Sequence, residues 1–151
     1  MKQNNDLHID RISFELGMIN CFAEMVACGV KELAISPPIK PEEYRLLSKY
    51  SDDIVAGFEI KSYLEKNLLI TNLQSEDFTK GKWSILYYRE DGTLEKYFQL
   101  KQEKSDLESA GCYEKKNRKK ISQEFMQLLS YPEEIIKEKL SQTKPKDPFI
   151  L

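Results

Sequence analysis

The 151-residue chain predicts a single α+β domain: a small mixed sheet with a β-hairpin in the C-terminal half, a buried N-terminal helix and two C-terminal helices. Three observations predict it. Leu, Ile, Val and Phe make up about 26% of the chain, above the roughly 20% below which sequences tend to stay disordered. Apolar residues recur at helical spacing near both ends, and β-rich runs occupy the middle. A chain of this length fills one core better than two. We place the domain at residues 1–142 and read 143–151, with its lysines and prolines, as a mobile tail.

Asp10 is placed to cap a helix over about Arg11–Cys28, with Asp6 as an alternative start and Gly29 as the left-handed residue that ends it. Two apolar stripes share this helix: Ile12, Leu16, Ile19, Ala23 and Val26, and Phe14, Met18, Cys21, Met25 and Cys28. They cover most of its circumference, so the helix is expected inside the protein or at a subunit interface. The narrow stripe of Ser13, Gly17, Asn20 and Glu24 then needs polar partners. Val30–Ser36 reads as a strand stopped by Pro37-Pro38. Pro41-Glu42-Glu43 opens a helix, and Ser51 caps a second helical segment reaching to about Leu64.

Leu68–Leu73 is a compact apolar run whose length favours a strand. Residues 83–89 and 94–100 are two β-rich runs joined by Asp91-Gly92, the pattern of a two-residue hairpin. In that register Trp83 faces Leu100, Ile85 faces Phe98 and Arg89 faces Leu94. A short helical segment follows over 103–109, broken at Gly111. Ile121, Phe125, Leu128 and Leu129 form an apolar helix face, and a second helix after Tyr131-Pro132 presents Ile135, Ile136 and Leu140.

Charge and processing signals narrow the function classes. With 23 basic and 25 acidic residues the net charge is −2, too balanced to indicate nucleic acid or an acidic membrane as a bulk partner. The first residues carry Asp6 and Asp10 with no apolar core behind them, unlike a secretory signal. The apolar-rich stretch Leu16–Val30 is interrupted by Asn20 and Glu24 and is shorter than the roughly 20 residues a bilayer span needs. Three cysteines without a CxxC pair argue for free thiols in a reducing compartment. A cytoplasmic protein without membrane contact is expected, and the excess of lysine over arginine reads as bacterial coding bias.

Glycines are scattered, Gly81 and Gly92 being the nearest pair, so glycine-rich phosphate loops are absent. His8 is the sole histidine, which eliminates two-histidine metal motifs. Cys21 and Cys28 are seven residues apart. On a helix that separates them by about 10.5 Å, too far for both thiolates to reach one zinc at about 2.3 Å. They are read as buried structural thiols, and no cofactor or metal is implied.

Asn20, Glu24, Cys28 and Ser36 remain as a candidate ligand pocket. An acid on an otherwise apolar helix can have a raised pKa, and Ser36 sits at the carboxyl end of the expected strand, where ligands commonly bind in open α/β sheets. The plainer readings are an ion-paired or solvated Glu24 and a Ser-Pro-Pro strand stop. Lys115, Lys116, Arg118, Lys119 and Lys120 form the one basic run. It precedes a helix, but Glu133, Glu134 and Glu138 dominate the following segment, so a solvated face is favoured and nucleic acid is disfavoured. Trp83, Tyr87, Tyr88, Tyr97 and Phe98 supply a dense aromatic set with core packing as the default. The leading expectation is a binding or regulatory module acting through protein contacts, as a homodimer using the first helix or the aromatic sheet face. The alternative is a small-molecule-binding protein or enzyme with the pocket above, and RNA binding through Lys115–Lys120 is a third reading.

Overall fold

A computed structural model of the chain describes residues 8–148. Three strands, β1 (Leu33–Ile35), β2 (Lys61–Glu65) and β3 (Ser84–Tyr88), form one sheet in the order β1-β3-β2. β3 is antiparallel to both neighbours, with Ala34 and Ser62 opposite Tyr87 on its two sides. β1 and β2 therefore run parallel to one another with β3 between them, and α2 (Pro41–Gly57) carries the chain across. The α+β class stands, while the mixed sheet becomes one in which every ladder is antiparallel.

All five residues of β3 are buried, as expected for a strand covered on both faces. Alternate side chains divide between two clusters. Ile85 and Tyr87 pack with Ile19, Ala23 and Val26 of α1 (Arg11–Ala27) and with Leu47 of α2. Leu86 and Tyr88 pack with Tyr97 and Leu100 of α4 (Asp91–Ser109) and with Ile121 and Phe125 of α5 (Lys115–Leu128). The sheet is thus sandwiched between α1 with α2 and α4 with α5, and α6 (Glu133–Ser141) packs on α5. The remaining helix, α3 (Glu76–Thr79), is a single turn.

The caps of α1 follow the sequence. The Asp10 carboxylate accepts from the Ser13 amide at 2.9 Å, and Gly29 at φ 75° lets the Val30 amide return to the Met25 carbonyl. Asp6 lies outside the described residues. The helix is buried along Glu15, Ile19, Ala23 and Val26, but Ser13, Gly17, Asn20, Cys21 and Glu24 face outward. Ser13 donates its hydroxyl to the Asp10 carboxylate and the rest of the stripe is solvent-exposed, so the expected sequestration holds on one side of the helix only.

The two helical segments expected over 41–64 are one helix followed by β2. Ser51 lies inside α2, buried, with its hydroxyl 3.1 Å from the Tyr87 hydroxyl, and does not cap a new start. Leu68–Leu73 forms no strand. Leu68 and Leu69 feed the core from an extended segment whose amides bond to side chains, Leu69 N to the Tyr97 hydroxyl and Asn72 N to Ser122 Oγ. An apolar run signals burial, and pairing is a separate matter.

The hairpin is the main correction. Its first arm is β3, but its second arm is the first half of α4, which continues through 103–109 to Gly111. Gly92 lacks the positive φ that an Asp-Gly hairpin turn demands, and Asp91 instead opens a helix whose positive end suits an acid. Thr93, Tyr97 and Leu100, spaced by four and three, are its buried residues. That helical stripe outweighs the β propensity of the same segment. Ile85 consequently pairs with Leu64, not Phe98, and Trp83 bridges to Ile39, not Leu100.

α5 and α6 match the expected helices, with Ile121, Phe125, Leu128, Leu129 and Ile136 buried. The basic run forms the first turns of α5 and does not precede it. In the stretch after α6, Asp147 accepts from the amide and hydroxyl of Ser75 at 2.9 and 2.7 Å. Phe149, Ile150 and Leu151 lie outside the described residues. Among the described residues no helix is long and apolar enough to cross a membrane.

Candidate functional site

Ser36 follows β1 directly and is 3% exposed. Its amide donates to the Ile85 carbonyl at 2.9 Å, while its hydroxyl oxygen accepts from the Ile85 amide at 2.8 Å and the hydroxyl donates to the Pro37 carbonyl. The side chain thereby extends the β1–β3 ladder by one rung after Pro37 ends the strand. Asn20, Glu24 and Cys28 are exposed along the outer side of α1. None of the three lines the cavity that Ser36 lines, so the structure does not bring the four residues together.

The acid that α1 buries is Glu15. One carboxylate oxygen accepts from Arg11 Nε at 3.2 Å, the other is buried without a partner, and burial holds its pKa above the usual carboxylate value. Arg11 also reaches Glu43 at 3.4 Å. The signal was present in the sequence, because residues 15, 19, 23 and 26 share one helix face, whereas 13, 17, 20 and 24 share the opposite one. Cys21, Cys28 and Cys112 are exposed free thiols, which corrects the buried reading of the first two. His8 is exposed. Of the aromatic set, Tyr87 and Tyr97 are wholly buried and Tyr88 nearly so, while Trp83 is partly buried and Phe98, on α4, is 38% exposed.

The cavity beside Ser36 has a volume of about 190 Å³. Met18 and Phe22 of α1, the Ala34–Pro38 segment, Leu68, Leu73 and Phe78 make its walls largely apolar. Two polar side chains missed in the sequence reading supply hydrogen-bond donors. Lys31, half-buried in the loop between Gly29 and β1, directs Nζ to the Leu129 carbonyl at 2.5 Å and sits 5.3 Å from the Tyr131 ring centroid. Burial holds its pKa below the usual lysine value. Gln74 on the opposite segment has its amide nitrogen buried with no acceptor. The Lys31 loop is docked in place by Glu32 N, which donates to Ser130 Oγ at 2.9 Å. Neither Lys31 nor Gln74 carries a sequence signal, since a lone Lys or Gln in a loop is ordinary and only the fold shows what surrounds it.

A second concavity of about 730 Å³ lies between the start of α5 and the 70–76 segment, and Lys115, Lys116, Arg118 and Lys119 line it. Lys120 points elsewhere, bonded to Glu103 at 2.8 Å with Glu124 at 3.8 Å. Among the described residues, no group of three or more His, Cys, Asp or Glu side chains is placed to hold a metal ion. Compared with known proteins, the chain matches no family model, no curated protein and no solved structure.

Proposed function

We propose that this protein binds a small molecule, and that the cavity beside Ser36 takes a compact apolar body with one anionic group. Lys31 carries the reading. A half-desolvated ammonium whose one acceptor is the neutral Leu129 carbonyl, with no carboxylate beside it among the described residues, gains from a counter-charge, and an anion entering the cavity supplies it. The unmatched Gln74 amide adds a second donor on the same lining. Apolar walls with a few convergent polar groups are the general form of a small-molecule site.

Size restricts the occupant. At about 190 Å³ the cavity is only a little larger than the ~150 Å³ that accepts a benzene ring. Benzoate or a short branched carboxylic acid fits that space. Both hydrogen-bonding roles of the Ser36 hydroxyl are committed to the backbone, so the pocket offers binding groups and not a free serine nucleophile.

Benzoate titrated against labelled protein and followed by amide NMR tests the reading. Saturable shifts are expected at Ala34, Ile35 and Gln74. Affinity should fall about tenfold or more in Lys31→Met, and by a similar factor when benzyl alcohol replaces benzoate, as a charge-assisted hydrogen bond is worth roughly 1.5–3 kcal/mol. Equal affinity for acid and alcohol, or no saturable shift from a panel of small aromatic and branched acids, refutes it.

A second reading, self-association, draws on Leu46 and Tyr50, which stand one turn apart on α2 at 61% and 57% exposure. Sedimentation showing a monomer at millimolar concentration removes it.

A further inference from the structure

The groove at the start of α5 is built in a way that the helix alone does not explain. Among the described residues its lining carries four cations, Lys115, Lys116, Arg118 and Lys119, against one carboxylate, Glu76. The first turn of α5 contains no acid, and Glu114 at the N-cap makes no side-chain cap bond. Lysines therefore crowd the positive end of the helix dipole, where anions are stabilising and cations are not. Violations of a local rule of this kind are expected where a site is kept for a ligand. The opposite wall offers the hydrogen-bonding side chains of Thr71, Asn72 and Thr143 beside Glu76. It is tied to the helix itself, since Asn72 N donates to Ser122 Oγ at 3.0 Å. The two walls are thus fixed relative to one another.

We propose that this groove is a second binding site, for a compact ligand carrying two or more phosphates. Four cations within the first five residues of α5 match the charge of a condensed phosphate, and they line the groove at the helix end that favours anions. Among the described residues no aromatic side chain lines the groove, which gives no stacking platform of the kind that holds single-stranded RNA. A volume of about 730 Å³ is that of a small-molecule site. Nothing in this inference depends on the apolar cavity, and the two fail separately.

Calorimetric titration of inorganic triphosphate into the full chain is the test. One-to-one saturation is expected, with affinity that weakens steeply as salt is raised. The double variant K116Q/K119Q should bind about tenfold more weakly or worse, whereas K120Q, whose side chain lies outside the groove, should stay within about twofold of wild type. The double variant removes charge from exposed positions, and its unliganded melting temperature should be equal or higher because the dipole repulsion is relieved. Absence of saturable binding by the wild type overturns the proposal, as does K120Q weakening triphosphate as much as the double variant. A short single-stranded RNA that binds more tightly and is not displaced by triphosphate also overturns it, assigning the surface to RNA.

Discussion

Glu15 carries a buried carboxylate oxygen without a partner, and the desolvation that raises its pKa fixes how stability must respond to pH. The folded chain binds this proton more tightly than the unfolded chain does. Its contribution to stability is therefore greatest below the unfolded value of about 4.5 and falls as pH rises through the higher folded value. Glu15→Gln should flatten that part of the profile. The difference between wild-type and variant stability, measured by urea unfolding from pH 4 to 7, should favour the variant progressively as pH rises, and a difference curve without slope contradicts the assignment. Lys31 follows the opposite logic in binding. Its pKa lies below the ordinary 10.5 because of burial, so benzoate affinity should decline with alkaline pH before a free lysine would begin to lose its charge. Ser36 is legible in the sequence as a strand terminator, yet its role in lengthening the ladder depends on where β3 lies.

At the scale of elements, α4 is the instructive case. Two periodicities coexist in residues 91–100: a β-rich composition after Asp-Gly, and a helical stripe of Thr93, Tyr97 and Leu100. Gly92 distinguishes them. In a hairpin turn it needs a positive φ, and alanine there destabilises. In the first turn of α4, with open space around its Cα, Gly92→Ala should instead stabilise by about 0.4–1 kcal/mol through the unfolded chain. Thermal melts decide, and a lowered melting temperature contradicts the helix. The capping signals Asp10, Gly29 and Pro41 were readable because they act within one turn of chain. The buried side of α1 was less so, since two apolar stripes competed and only the neighbouring layers chose between them.

For the whole molecule, the packing of α4 is secured by a buried polar network. The Glu65 carboxylate accepts from the Tyr97 hydroxyl at 2.9 Å and from Lys101 Nζ at 2.8 Å, and its other oxygen accepts from Asn67 N at 2.8 Å. The Tyr97 hydroxyl in turn accepts from Leu69 N at 3.0 Å. One phenol thus joins the end of β2, the unpaired 66–70 segment and α4. Tyr97→Phe leaves the Leu69 amide buried without an acceptor and deprives Glu65 of a donor, a loss of about 1–3 kcal/mol by chemical denaturation. An unchanged midpoint contradicts that role for the network. Because the same extended segment runs on to Gln74, loosening it should also weaken benzoate in the cavity.

The sequence by itself determined the features that short-range chemistry sets: the α+β class, the helix-end signals at Asp10, Gly29 and Pro41, a strand within 83–89, the two C-terminal helices and the basic run. Tertiary structure alone decided that one carboxylate oxygen of Glu15 is left without a partner, that Asp91-Gly92 opens a helix, and that Ser36 shares a cavity with Lys31 and Gln74. The reason is physical. Caps, turns and helical stripes are settled by neighbours a few residues away, whereas the desolvation of a charge and the walls of a cavity depend on segments brought together from distant parts of the chain, such as Lys31 against Leu129.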